Sequence, residues 1–213
     1  MKITWIGHAC FLLEGTQSSV LTDPFAEDVP YVLGDVAPDL VTISHDHFDH
    51  NAASRVGGSP TIIRNSGTCQ HADVGLLGIP SFHDDVQGAD RGDNTIFRIS
   101  LDGLELAHLG DLGTPLTAEQ LHALDGVQVL LIPVGGTYTI DAQQAADLVA
   151  SLPSLRVVIP MHFKTEPIAD WPIDTVDRFA QTMDNVRPIG TSQVEVTRET
   201  LPASTEVWIL NHA

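Results

Sequence analysis

Three histidines and two aspartates occupy five of the six positions from His45 to His50, directly after a β-branched run, in the segment VTISHDHFDHNAAS at residues 41–54. The run before them, from Asp39 to Ser44, is short, apolar and preceded by Pro38, which predicts a buried parallel strand rather than a helix. The ligand-rich cluster therefore starts at a strand's carboxyl end. Alternate residues of extended chain point the same way, so His45 and His47 present their imidazoles to one point. Asp49 and His50 follow where the chain must turn, and their side chains reach a second point a few ångströms on. A solvated polar loop explains a single His-X-His as readily as a metal site does, but it explains four ligands in six residues poorly. The spacing suits two neighbouring ions.

Composition permits such a centre and narrows its partners. With 213 residues, 43% of them hydrophobic, and no low-complexity tract, the chain is expected to form one domain over residues 1–213 with a sizeable core. Met1 to His8 enters patterned structure at once, with no basic stretch followed by an apolar block, so neither export nor membrane spanning is expected. Cys10 and Cys69 are too few for a disulfide framework and read as free thiols in a cytoplasmic protein. The net charge of −18, from 28 acidic and 10 basic side chains, opposes nucleic acid and anionic membranes as partners. A small-molecule substrate is expected instead, and bound metal ions would make the pocket locally positive.

Along the chain, strands are expected at Lys2 to Gly7, Cys10 to Glu14 and Val20 to Thr22, forming an opening meander. Further strands are expected at Thr61 to Arg64, Gly75 to Ile79, Thr95 to Ser100, Leu104 to Leu109, Val127 to Pro133 and Arg156 to Pro160, with Asp102-Gly103 as a hairpin turn. Helices are expected over Thr117 to Leu124, where Thr117 and Gln120 suggest a capping box, over Asp141 to Leu152, and over Asp174 to Met183. Strand groups interleaved with helices indicate a β-rich α/β sandwich.

His-X-His-X-Asp-His after an apolar strand resembles the signature of the metallo-β-lactamase-fold hydrolases. The resemblance runs through WIGHACFLLE, LTDPF, SHDHFDHN, HLGDLG, LLIPVGGTYTIDAQQAA and IPMHF, and it is nearest to a small subgroup that includes ascorbate-phosphate lactonase. A more distant likeness is to the phospholipase D that releases N-acylethanolamines. The fold so implied is a four-layer αββα sandwich.

The resemblance also implies a full ligand set. His83, in GIPSFHDD, is chosen as the third histidine beside His45 and His47, and Asp84 or Asp85 is expected to hydrogen-bond its far ring nitrogen. The competing His71 lies in a polar stretch that reads as surface. Asp111, in the Gly-Asp-Leu-Gly turn, is the carboxylate shared between ions, and His162, beyond the strand before IPMHF ends, joins Asp49 and His50 on the second. His8 resembles a position near the metals and is expected to touch substrate or the reacting water, with Asp49 the other catalytic candidate. His108 reads as a packing or supporting residue. Relatives often carry a His after the Gly-Asp-Leu-Gly turn, where this chain has Thr114. Gly135, Gly136, Thr137 and Tyr138 follow a strand end, where backbone N–H groups or the Tyr138 hydroxyl can steady an oxyanion, although a plain tight turn explains them nearly as well. His122 and His212 receive no role. Subgroup relatives often associate, so a homo-oligomer is admitted.

Nitrogen-rich ligation with carboxylates and no thiolate suits two divalent ions drawn from Zn, Mn, Fe or Ni. Two such ions about 3.5–4 Å apart lower the pKa of a shared water and make hydroxide available near neutrality. The expected activity is hydrolysis of a small ester, lactone or phosphoester. The alternative is a non-hydrolytic use of the same centre, as a metal-binding or diiron redox protein.

Overall fold

The computed structural model describes residues 1–213. The opening meander is present as three antiparallel strands, β1 (Lys2–Gly7), β2 (Cys10–Glu14) and β3 (Ser19–Thr22). Next, β4 (Leu40–Thr42) lies parallel to β3, and β5 (Thr61–Ile63) parallel to β4. The run ahead of the ligand loop is thus a parallel strand buried along its length, shorter than its apolar stretch.

The middle of the chain is antiparallel: β6 (Gly67–His71), β7 (Val74–Phe82), β8 (Asp93–Leu101) and β9 (Leu104–His108) pair in sequence order. Leu101 pairs with Leu104 across Asp102 and Gly103, whose φ angles of 52° and 73° make the mirror-image two-residue turn that Asp-Gly favours. The stretch around His71, read as polar surface, is the exposed edge strand β6, and its polar composition reflects that edge.

The remaining elements are α1 (Ala118–Ala123), β10 (Val129–Pro133), α2 (Ala142–Ser151), β11 (Val157–Met161), α3 (Val176–Ala180), β12 (Val186–Pro188), β13 (Gln193–Glu195) and β14 (Glu206–Ile209). The expected capping box of Thr117 with Gln120 forms, and Asp141 caps α2 with a further box to Gln144. The third helix is shorter than expected: its N-cap is Thr175, and Asp174 instead pairs with Arg178 at 2.9 Å.

Two sheets result, one of six strands in the order β13-β1-β2-β3-β4-β5 and one of eight in the order β12-β14-β11-β10-β9-β8-β7-β6. Alternation along the first sheet separates two apolar faces. Ile3, Trp5, Phe11, Leu13, Val20 and Leu40 join the 43-residue core, whereas Ile6, Cys10, Leu21 and Val41 join a second cluster of 12. Helix α2 adds Ala145, Leu148 and Val149 to the large core. The small cluster is completed by irregular chain, with Phe25, Val29, Tyr31 and Leu33 on one side and Ile168 and Ile173 on the other. The αββα arrangement therefore carries a helix-poor layer over the first sheet. Burying Phe25 or Leu33 there stabilises by roughly 1.5–3 kcal/mol each, which holds the segment that flanks the ligand loop. No helix is long and apolar enough to cross a membrane, and Cys10 and Cys69 are unpaired.

Strands β7, β9 and β11 run in the same direction, so the segments that follow them emerge on one edge of the eight-stranded sheet. Those segments carry His83, Asp111 and His162.

Candidate metal centre

The loop after β4 brings His45, His47, Asp49 and His50 against these three residues. Ligand atoms of His45, His47 and His83 lie within 4.8 Å of one another, and those of His8, Asp49, His50 and His162 form a second group by the same measure. Asp111 stands between the groups: its Oδ2 is 3.3 Å from Nε2 of His83, 3.3 Å from Nε2 of His50 and 3.2 Å from Nε2 of His162, with Nε2 of His45 at 3.9 Å. His71, on β6, belongs to neither group.

Close backbone approach makes this convergence possible. A Cβ on Gly113 would sit 2.3 Å from the carbonyl of His83, so only glycine lets the turn after Asp111 pack against that loop. Gly110, at φ +56°, would likewise meet Asn94 and Ser44. The buried Asn94 fixes this corner by donating to Ser81 Oγ and the Leu109 carbonyl while its Oδ1 accepts from the Asp111 backbone N–H.

Beyond the expected ligands, the sequence reading missed Asp23. Its Oδ2 lies 2.8 Å from Nδ1 of His50 and accepts from Ser44 Oγ, while Oδ1 accepts from the Ser44 backbone. Asp23 and His50 are fully buried, so this carboxylate fixes the ring's tautomer and aims Nε2 at Asp111. The LTDPF motif was the available signal.

His83 is held otherwise than expected. Asp84 accepts the backbone N–H groups of Val86, Gly88, Asp90 and Arg91, which folds the following loop and leaves the far nitrogen of His83, Nδ1, without a partner. Asp85 makes no bond to that ring either.

Charge is distributed unevenly. Burial opposes ionisation of Asp111, yet His162 and His50 hold its pKa well below the usual carboxylate range. Burial likewise opposes a proton on His50, but Asp111 and Asp49 hold its pKa well above normal. For Asp49, His50 and then the His8 hydrogen bond outweigh burial and keep it ionised. Burial, aided by His50, lowers His45 to about 3, and burial with His162 lowers His8 to about 4.

A cavity of about 450 Å³ opens over the centre, lined among others by Asp49, His83, Asp111, His162, Arg91 and Tyr138, with Phe48, Trp171 and Pro172 as its apolar wall. His8 is not among the residues of this wall: it is fully buried, and its Nε2 lies 3.1 Å from Asp49 Oδ2. Gly136 is also absent from the wall, its Cα facing Asp141 and Asp174. Tyr138 does line it. Thr114 does not.

A β-lactamase superfamily domain profile matches residues 2–162. A UPF0173 metal-dependent hydrolase of Methanoregula boonei is 32% identical over 191 residues, covering 78% of this chain and 83% of that protein. Among solved structures, a candidate Zn-dependent hydrolase of the metallo-β-lactamase superfamily from Thermotoga maritima superimposes with a TM-score of 0.85 at 34% identity, covering 100% of this chain and 99% of that one. A metallo hydrolase of Ignicoccus hospitalis gives a TM-score of 0.62 at 27% identity, covering 84% and 88%.

Proposed function

This chain belongs to the β-lactamase superfamily, among the UPF0173 metal-dependent hydrolases, and on that premise we propose that it hydrolyses a small ester, lactone or phosphoester at a dinuclear metal centre. His45, His47 and His83 would hold one ion, Asp49, His50 and His162 the other, and Asp111 would join both. The observation that carries this reading is the set of orphaned buried atoms around Asp111: Nε2 of His45, Nε2 of His50 and Asp111 Oδ1 have no hydrogen-bond partner. Leaving such groups unsatisfied is costly, and a cation compensates them together. Imidazoles and carboxylates without a thiolate fit Zn, Mn, Fe or Ni alike.

When bound, two such ions supply Lewis acidity and lower the pKa of water. The residues supply the rest. Asp49 faces the cavity and stays ionised, with Oδ2 engaged by His8, so Oδ1 is the atom that takes the proton of the attacking water. Phe48, Trp171 and Pro172 exclude solvent and seat the substrate's apolar part, and the Tyr138 hydroxyl donates to an oxygen on which charge develops. Residues 1–213 act as one unit, because β13 closes the first sheet against β1 while β12 and β14 extend the second.

Elemental analysis after loading with Zn or Mn at neutral pH, followed by a hydrolysis screen over lactones, phosphodiesters and thioesters, tests the proposal. About two ions per chain with turnover of at least one class is expected. No bound metal after loading would overturn it.

A further inference from the structure

Resting on the hydrolase reading above, we propose that the substrate carries an anionic group, a carboxylate or phosphate, and that Arg91 binds it. Arg91 shares the cavity over the centre with Asp111, His162 and Tyr138, and it also lines a polar groove beginning at His45 and His47. Its guanidinium lies 5.6 Å from the centroid of the Tyr138 ring, and no carboxylate or carbonyl engages it. Apart from Lys164, every other Lys and Arg side chain meets a carboxylate or a backbone carbonyl, as Arg64 does with Asp46 and Arg55 with the Phe25 carbonyl. In a chain of net charge −18, an unpaired guanidinium facing a cavity is the exception that a ligand explains.

The position of Arg91 is built. Asp84 Oδ2 accepts the Arg91 backbone N–H at 2.8 Å and the Asp90 N–H at 2.9 Å, while Oδ1 gathers Val86 and Gly88, so one buried carboxylate fixes the whole loop. Gly92 then closes onto the Gly88 carbonyl, and its own carbonyl accepts from the His83 backbone. The residue carrying the guanidinium and the residue carrying a candidate ligand are thereby tied through one short loop. The planar fork of arginine matches two oxygens of a carboxylate or phosphate, a geometry that lysine lacks. In the same cavity, Phe48, Trp171 and Pro172 offer an apolar surface. The ligand fitting both walls is a small molecule with an apolar body and one anionic end.

Two measurements test this on zinc-loaded protein: hydrolysis of mono-4-nitrophenyl glutarate against neutral 4-nitrophenyl butyrate, and calorimetric binding of phenylphosphonate against benzamide. Arg91→Gln is expected to lower kcat/KM for the anionic ester and affinity for phenylphosphonate by roughly 10- to 100-fold. The neutral compounds should change by less than about threefold, at unchanged metal content, and Arg91→Lys should recover only part of the loss. Equal losses for charged and neutral compounds, or none for either, would overturn the role of Arg91 even where both esters are cleaved. If neither ester is cleaved while phenylphosphonate binding still depends on Arg91, the anion site stands and the hydrolytic reading falls.

Discussion

On one side of Asp111, the imidazoles of His45, His47 and His83 are loosely supported; on the other, Asp49 and His50 are braced from behind, while Nδ1 of His162, like that of His83, has no partner. His47 is exposed and Nδ1 of His83 has no partner, so only His45, through Ser44 Oγ at 2.9 Å, is fixed from behind. His50 by contrast is clamped by the Asp23 carboxylate, and Asp49 by His8. Side chains already ordered pay little further entropy when they bind a ligand, and rings left free pay more. The braced group is therefore expected to hold its ion tightly and the open group to exchange.

Removing what the groups share should have the largest effect. Asp111→Asn is expected to cost one ion and roughly 100-fold or more in turnover, and a variant retaining two metals and full activity would show that Asp111 merely stabilises its turn. Truncation on the open side comes next. His83→Ala should weaken metal binding by at least ~10–100-fold, whereas His71→Ala, altering only edge strand β6, should change neither metal content nor activity; the reverse pattern in chelator competition would mean that the wrong loop was assigned. Asp23→Asn sharpens the contrast from the other side. Its expected ~10–100-fold loss should fall on the braced ion alone, read from which of two chelation phases accelerates. In the unaltered protein, removal by a chelator should itself be biphasic, with the fast phase absent in His83→Ala; a single phase would erase the asymmetry.

The smallest effect belongs to the scaffold. His108 is fully buried, its Nε2 lies 2.8 Å from the Ala9 carbonyl and its Nδ1 accepts from the Gly110 N–H, which requires a neutral ring. Burial lowers its pKa, with Asp23 opposing. The unfolded chain therefore takes up the proton first, and stability is lost as pH falls below ~6.5, by no more than about 1.4 kcal/mol per pH unit for one proton. Thermal unfolding of metal-free protein against pH should show a shallower acid slope for His108→Gln; an unchanged slope would remove His108 from the account.

These contrasts also mark what the sequence discloses. The clustering of His45, His47, Asp49 and His50 is legible because their spacing is local, whereas His83, Asp111 and His162 come into view only through the family resemblance, each after an apolar strand. Asp23 is flagged only by the LTDPF motif: its role depends on β3 lying parallel to β4, with Thr22 beside Thr42, a pairing that no local period announces. Arg91 gave no signal because its value lies in lacking a partner. The irregular cover over the first sheet buries Phe25, Val29 and Leu33 without a helical or alternating pattern to betray it, and β12 and β13 are too short and polar to stand out.

The backbone N–H of His162 donates to the carbonyl of His8 at 3.2 Å, and both residues adopt left-handed φ angles, 50° and 53°. This one bond joins the first loop of the chain to a loop far along it. Contacts between residues so distant in sequence close late in folding, because the intervening chain must be ordered first. The pocket, like the pairing of β1 with β13, is therefore expected to close late. If ions bind as proposed, their capture is expected to require His162 and hence the completed chain, and to add to native stability by mass action, which thermal unfolding with and without added zinc would measure.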